Sequence, residues 1–152
     1  MSKYKLIQLT NNAIGALDAN ALFPLGTVTR RINAPMNCAQ PFQVTSGVND
    51  TLYINEPGYY KVTFSATLTA GAAGLMSISM LANNNVVYTV AEDVTAAEDI
   101  VNLTLPYVIR ISPNTCAAPN NYPVALQFKL GDVATGITPT PSSANLIVEE
   151  VF

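Results

Sequence analysis

The sequence contains no histidine and no tryptophan, and it is short of charge. Only 7 of its 152 residues are Lys or Arg and 10 are Asp or Glu, a charged fraction of 11%, whereas a soluble domain usually has roughly 25%. Without histidine, Ser-His-Asp and Cys-His catalysis and His-ligated zinc are excluded. A glycosidase would need two placed carboxylates, and most acids here fall in predicted loops. We therefore predict no catalytic residues and a protein that is not an enzyme.

Cysteine is nearly absent as well. Cys38 and Cys116 cannot supply a four-thiolate metal site, and their wide separation fits neither a CxxC redox pair nor a zinc knuckle. They either form one disulfide or remain reduced thiols. The second alternative is favoured, because no signal peptide precedes them.

The sequence also lacks the features expected of a protein that binds membranes or nucleic acids. No apolar run approaches the ~18 residues that span a bilayer, and the N-terminus lacks the apolar core of a signal peptide. This predicts a soluble, unprocessed protein with no membrane partner. The net charge of −3 predicts no nucleic-acid partner, because phosphate neutralisation needs clustered Lys and Arg. Arg30 and Arg31 are adjacent, but neighbours on a strand point to opposite faces. We expect one of them to pair with Glu149 or Glu150.

One acidic stretch, residues 91–99, contains Glu92, Asp93, Glu98 and Asp99. A Ca²⁺ site is conceivable there because calcium binds several oxygen ligands. The stretch lacks the Asp-x-Asp-x-Asp-Gly pattern, however, and a solvated acidic loop is the favoured interpretation. No metal or cofactor is predicted.

Hydrophobic residues, in contrast, make up 49% of the chain. With so few charges, the surface has to consist of Ser, Thr, Asn, Gly, Pro and exposed apolar groups. Such a balance predicts that part of the surface is buried against a partner.

Apolar and polar residues alternate over many short segments, as is typical of half-buried β-strands. The clearest strands are predicted at 60–68, 76–80, 100–112 and 124–130, and further strands at 3–9, 26–32, 42–45, 51–55, 86–91 and 144–152. Pro106 removes a ladder donor from the longest of them, which predicts an edge position or a bulge. The stretch 13–22 contains Gly15, Asp18 and Asn20, which are poor helix formers, and is predicted to form at most a turn.

Turn residues separate these strands. The Asn83-Asn84-Asn85 segment predicts a tight hairpin because Asn tolerates positive φ; Pro-Gly and Pro-Asn pairs mark other turns. About nine or ten short strands with such separators predict a single all-β domain, a two-sheet β-sandwich or jelly roll.

The last strand is apolar on both faces, with Leu146 and Val148 on one side and Ile147 and Val151 on the other. Either it is a central strand of the sandwich, or its outer face is covered by another subunit. The alternation alone leaves both alternatives open.

The stretch 52–68 (LYINEPGYYKVTFSATL) has a short strand, a Pro-Gly turn, an aromatic pair and a long alternating strand. It resembles the signature of the tumour necrosis factor-like and complement globular-head superfamily. The later hairpin at 83–85, the strands at 100–112 and 124–130 and the C-terminal strand fit the same order. With the opening segment 26–31, the chain looks most similar to small virion proteins of tailed bacteriophages.

This resemblance implies a TNF-like jelly roll that forms a homotrimer, with residues 26–152 as the domain and residues 1–25 as an attachment arm or an additional edge strand. It further implies a structural virion protein assembled in the host cytoplasm, a capsid decoration or head fibre that contacts the major capsid protein or other virion proteins. The expected trimer-interface residues are Tyr60, Tyr107, Phe128, Val148 and Phe152, and the expected arm residues are Tyr4, Leu6 and Ile7. Because seven tyrosines suit sugar stacking, a receptor- or glycan-binding tip that recognises surface glycans is the alternative.

Overall fold

The fold is described by a computed structural model that covers residues 5–33, 41–45, 49–112, 123–131 and 136–151. These residues form ten β-strands and no helix: β1 Lys5–Asn11, β2 Thr27–Asn33, β3 Phe42–Val44, β4 Leu52–Ile54, β5 Gly58–Thr69, β6 Gly74–Ala82, β7 Asn85–Val94, β8 Ile100–Ile111, β9 Val124–Leu130 and β10 Thr140–Glu150. The absence of helices from these ranges means that none of them contains a long apolar helix suited to crossing a membrane.

The strands pair into two antiparallel sheets of five strands each. Sheet A has the order β2-β1-β10-β5-β8, and sheet B has the order β3-β4-β9-β6-β7. The predicted all-β jelly-roll sandwich is therefore confirmed. β10 lies in the middle of sheet A, between β1 and β5, which is the first of the two alternatives for this strand. Its Leu146 and Val148 are buried in the core, and Ile147 on its other face is half-buried.

The alternation of the strands places one face of each sheet in a common core. Phe64 on β5 stacks on Phe128 on β9, with ring centroids 4.2 Å apart, so this pair joins the two sheets. Phe23 contacts the same Phe64 ring edge-to-face at 5.2 Å. A second edge-to-face pair, Phe42 and Tyr60, joins β3 to β5 at 5.8 Å. Aromatic pairs of this kind add about 0.5–1.5 kcal/mol each beyond the apolar area that they bury.

Residues 5–25 belong to the same sandwich. β1 pairs with β2 on one side and with β10 on the other, and the side chains of Phe23 and Leu25 are buried in the core. Within residues 5–25, β1 is an internal strand of sheet A and not an edge strand; the assignment of residues 1–25 as an attachment arm stays a prediction.

Two turns have positive φ angles that restrict which residues can occupy them. Asn83 and Asn84 connect β6 to β7 with φ values of 49° and 68°, which confirms the predicted tight hairpin. Gly26 precedes β2 with a φ of +82°, and a Cβ atom there would collide with the backbone oxygen of Thr10. Only glycine fits that position without a shift of the backbone.

Candidate interaction surface

Two edge strands, one from each sheet, lie side by side on one flank of the sandwich. β7 ends the order of sheet B and β8 ends the order of sheet A. The rings of Tyr88 on β7 and Tyr107 on β8 bridge the two edges, with centroids 5.8 Å apart and planes tilted by 31°. This flank is where the two sheets open towards solvent.

The flank exposes apolar side chains that the core does not cover. Val108 on β8 is 54% exposed, and Val86 and Tyr88 on β7 are 43% and 42% exposed. Tyr107 is only partly buried and packs against the core. We call these four residues the edge patch. Tyr88 and Tyr107 are in ring contact, whereas Val108 projects from the opposite face of β8. Single exposed apolar residues need no explanation, but several on two neighbouring edge strands are typical of an interaction site.

Pro106 lies in the middle of β8, opposite Thr63 of β5. Its position on an edge strand confirms the sequence-based prediction. Proline has no N–H to donate, so it interrupts the hydrogen-bonding edge that another strand would need. A partner on this flank is therefore expected to pack through side chains and not to extend the sheet.

The outer face of sheet A is made largely of uncharged polar side chains. On β10, β5 and β8, the outward residues from Asn145, Ser65 and Thr104 to the end marked by Ile100 include no charged side chain, whereas Arg30 on β2 lies opposite Gln8 of β1. We call the hydrogen-bonded part of this face the polar ladder, and it comprises Gln8, Thr10, Thr29, Ser65, Thr67, Asn102, Thr104 and Asn145.

The ladder side chains bind one another. Asn145 on the central strand accepts hydrogen bonds from Gln8 Nε2 at 3.0 Å and from Thr10 Oγ1 at 3.1 Å. The Thr10 and Thr29 hydroxyls lie 3.4 Å apart. On the other half of the sheet, Ser65 shares a hydrogen bond with Thr104 at 3.3 Å, and Thr67 donates to Asn102 at 2.6 Å.

A cluster of charged side chains lies at the end of the sandwich where β1 begins and β10 ends. Lys5 Nζ pairs with Glu56 and lies 3.4 Å from Glu150 Oε2. Beneath it, the buried Tyr60 donates its hydroxyl to the backbone oxygen of Glu56 at 3.1 Å. The cluster thus ties together β1, the turn before β5 and the end of β10.

The cluster shifts the pKa values of two of its members. Burial alone would lower the pKa of Lys5, but hydrogen bonds and charge from Glu56 and Glu150 outweigh it and raise that pKa above the ordinary value. Burial, helped by the charges of Glu150 and Glu56, raises the pKa of Tyr60 well above its ordinary range. Both effects favour the protonated forms, so the cluster stabilises the fold only below strongly alkaline pH.

The structure corrects most of the interface residues expected from the sequence. Tyr60, Phe128 and Val148 have no exposed surface in the single chain; all three point between the sheets, so another subunit cannot contact them. On β5, β9 and β10, the face that carries these three residues is the face that packs in the core of the sandwich itself. Tyr107 reaches the edge patch, and Phe152 lies outside the described residues.

The expected arm residues also lie within the fold where they are described. Ile7 is fully buried and Leu6 nearly so, in β1, so neither is available as an attachment surface; Tyr4 lies outside the described residues. The backbone edges of β1 are occupied as well, because β2 and β10 are hydrogen-bonded to it on either side.

The arginines, acidic residues and cysteines that the sequence analysis singled out do not come together in one site. Arg31 Nη1 donates to the backbone oxygen of Phe42 at 2.9 Å, and Glu150 pairs with Lys5. The acidic residues 92–93 lie near the end of β7, and residues 98–99 lie in the connection between β7 and β8. No group of three or more potential metal ligands occurs within the described ranges. Cys38 and Cys116 both lie outside those ranges.

Sequence reasoning missed Val86, Tyr88 and Val108 as surface residues. Val108 is an apolar residue in the polar phase of β8, where Asn102, Thr104 and Arg110 also lie, and this departure from alternation was the available signal. Val86 and Tyr88 gave no comparable signal, because a hairpin strand with apolar residues on both phases also suits a buried position.

Comparison with known proteins gives a likeness in structure but not in sequence. No family model and no curated protein matches the chain. Among solved structures, Eiger TNF from S. frugiperda matches with a TM-score of 0.69 at 10% identity, covering 99% of this chain and 94% of that chain. The globular domain of zebrafish complement 1qA protein matches with a TM-score of 0.60 at 7% identity, covering 97% of each chain.

The chain has the TNF-like jelly-roll fold. The same fold is present in PRD1 vertex protein P5, which matches with a TM-score of 0.58 at 11% identity over 97% of each chain. The expected resemblance to TNF-like jelly rolls, including a viral example, is thereby confirmed at the level of fold. Identities this low carry no functional residues across.

Proposed function

We propose that this protein is a non-enzymatic structural protein of a bacteriophage virion, a homotrimeric capsid decoration or head-fibre component. The observation that carries self-association is the edge patch, which leaves Val86, Tyr88 and Val108 over 40% exposed on one flank. Burying such side chains contributes roughly 25 cal/mol per Å². The low charge of the chain supports the same proposal, because few ionised groups would have to be desolvated at an interface.

The virion setting is supported by the likeness to PRD1 vertex protein P5, which runs over nearly the whole length of both chains. The trimer is supported by the TNF-like fold, for which the sequence resemblance implied three copies around a common axis. Contacts made only in the assembled shell stabilise that shell by mass action. The partners are then further copies of this chain and the major capsid protein or another virion protein.

A charged substitution in the edge patch tests whether the patch is a subunit interface. Val108→Asp places a carboxylate in the patch, where it would be desolvated on association. Val28→Asp is the matched control, since Val28 is an exposed valine on β2, at the opposite edge of the same sheet. Light scattering coupled to size-exclusion chromatography should show a folded monomer for Val108→Asp and a trimer for Val28→Asp. Equal masses for the two variants would contradict the assignment of the interface.

The virion role needs a separate experiment. Cryo-electron density maps of wild-type particles and of particles with the gene deleted should differ by a trimeric feature on the shell or fibre. Identical maps would contradict a structural role.

A glycan-binding tip is the second candidate, favoured by the exposed Tyr88 ring next to Tyr107. Aromatic rings of this kind stack on sugar faces. A glycan array probed with the wild-type protein distinguishes the two functions, because a structural component should give no hits. Deletion particles that no longer adsorb to host cells would favour the tip.

A further inference from the structure

Two exposed cations lie close together at the end of the sandwich where β5 begins and β8 ends. In the register of these strands, Lys61 lies opposite Val108 and Arg110 lies opposite Tyr59, so the two cations occupy diagonal positions. Diagonal neighbours on one face of a sheet are about 7–8 Å apart. One partner surface can therefore contact both positive charges.

Neither cation is neutralised by a carboxylate of the described residues. Lys5 forms ion pairs with Glu56 and Glu150, but Lys61 and Arg110 have no ion pair with any residue that the structure describes. Glu149 lies opposite Lys61 on β10 without forming an ion pair with it. Two neighbouring cations repel each other, so an anionic group bound between them would relieve that repulsion.

An aromatic ring holds one of the two cations in place. The guanidinium carbon of Arg110 lies 5.8 Å from the ring centroid of Tyr59, which is 40% exposed. Val151, also exposed, donates its backbone N–H to the Tyr59 oxygen at 3.0 Å and lies beside this pair. Tyrosine and arginine contribute strongly to protein interfaces, and a guanidinium that is already stacked loses less freedom on binding. We call Tyr59, Lys61, Arg110 and Val151 the basic patch.

The acidic residues of β7 and of the connection to β8 lie at the opposite end of the sandwich. Glu92, Asp93 and Glu98 are exposed there, next to Ile100, where β8 begins. Ten residues of extended strand separate Ile100 from Arg110, a distance of roughly 34 Å. Charges so far apart are screened from each other in physiological salt, where the Debye length is about 8 Å. The basic patch therefore keeps its positive charge although the whole chain carries −3.

We propose that the basic patch docks on an acidic surface of the virion protein that carries this chain. Arg110 binds one carboxylate there through two parallel hydrogen bonds, and Lys61 binds a second carboxylate. Val108 of the edge patch lies opposite Lys61, so this docking surface borders the proposed contact between copies. The docking rests on the proposed virion role, and it adds which end of the sandwich faces the shell or fibre. Two cations are too few for a nucleic-acid partner.

Removal of both positive charges tests this docking. Lys61→Gln/Arg110→Gln removes the cations, and the control Glu92→Gln/Asp93→Asn removes two exposed charges at the other end. Each protein, with its circular dichroism checked, is titrated onto particles from the gene deletion, and the bound fraction is measured by cosedimentation. The dissociation constant should rise about 10- to 100-fold for the Lys61–Arg110 variant and stay at the wild-type value for the control. A wild-type dissociation constant for the Lys61–Arg110 variant overturns the proposal.

Two further measurements separate charge from geometry. Arg110→Lys keeps the charge but loses the planar guanidinium, so it should also bind more weakly than the wild-type protein; wild-type binding would overturn the assignment of Arg110 to a carboxylate. The wild-type dissociation constant should rise as NaCl is added, and that of the Lys61–Arg110 variant should rise much less. The same salt dependence in both proteins contradicts the docking.

The docking and the virion role fail in different ways. If the wild-type protein does not bind the deletion particles, the virion role fails, and the docking fails with it. If the wild-type protein binds and the Lys61–Arg110 variant binds equally well, only the docking fails. If the variant instead lowers the mass of the free protein in light scattering, the basic patch contacts another copy of the chain, and the assignment to an acidic shell surface is wrong.

Discussion

Tyr60→Phe should be harmful at neutral pH and nearly neutral or beneficial at alkaline pH. The substitution keeps the ring that packs on Phe42 but removes the hydroxyl that donates to Glu56. Loss of that hydrogen bond should cost about 0.5–1.5 kcal/mol of unfolding free energy at pH 7.

The alkaline effect follows from the raised pKa of Tyr60. Above pH 10 the unfolded chain releases the phenolic proton while the folded chain keeps it, so unfolding is favoured as pH rises. The loss approaches 1.36 kcal/mol per pH unit and amounts to about 1.4 kcal/mol at pH 11 if Tyr60 stays protonated in the fold. Phenylalanine does not titrate, so the variant escapes this loss.

Urea unfolding of both proteins at pH 7, 9, 10 and 11, at one fixed protein concentration, measures the difference. Every other residue is the same in the two proteins, so other effects of pH on unfolding cancel to first order. The wild-type advantage should shrink above pH 9 and vanish near pH 11. A constant difference across this range would refute the reasoning, because it would mean that Tyr60 ionises as readily in the fold as in the unfolded chain.

Three further substitutions test the fold. Gly26→Ala should lower the free energy of unfolding more than Gly15→Ala does, because both glycines have a positive φ but only at Gly26 would the new Cβ meet backbone atoms. The loss expected for Gly15→Ala is about 1 kcal/mol. Equal losses in thermal unfolding would contradict the close approach of Gly26 to Thr10. Phe64→Ala should cost about 3–5 kcal/mol, measured by urea unfolding, and a loss below 1 kcal/mol would argue against the stacked core pair. Lys5→Met leaves two carboxylates without their cation and should cost about 1–3 kcal/mol at pH 7; no change in the urea midpoint would mean that the cluster is hydrated.

The strands could be predicted because alternation is a local property of the sequence. Val124, Leu126, Phe128 and Leu130 are all buried on β9, as their spacing indicates. The Asn83-Asn84 turn was equally local, since it depends on the φ preference of two residues. Strand boundaries differ from the predicted ones by a few residues where the backbone pairing between strands continues beyond the apolar pattern. β10, for example, begins at Thr140.

The interaction surface could not be predicted in the same way. Alternation separates two faces of a strand but does not say which face meets the other sheet and which meets a second subunit. Tyr60, Phe128 and Val148 were assigned to the wrong side for this reason. The polar ladder depends on the order of strands in sheet A, which brings Gln8 beside Asn145 although the two lie at opposite ends of the chain. Pairing over such a distance leaves no trace in a local pattern.

The most direct test of the account is the mass of the wild-type protein in solution. Native mass spectrometry or sedimentation equilibrium at micromolar concentration should give three chains of 16.1 kDa each, with Val108→Asp reduced to one chain. A wild-type mass of a single chain under these conditions would contradict the central claim that the exposed flank of this sandwich is covered by copies of the protein.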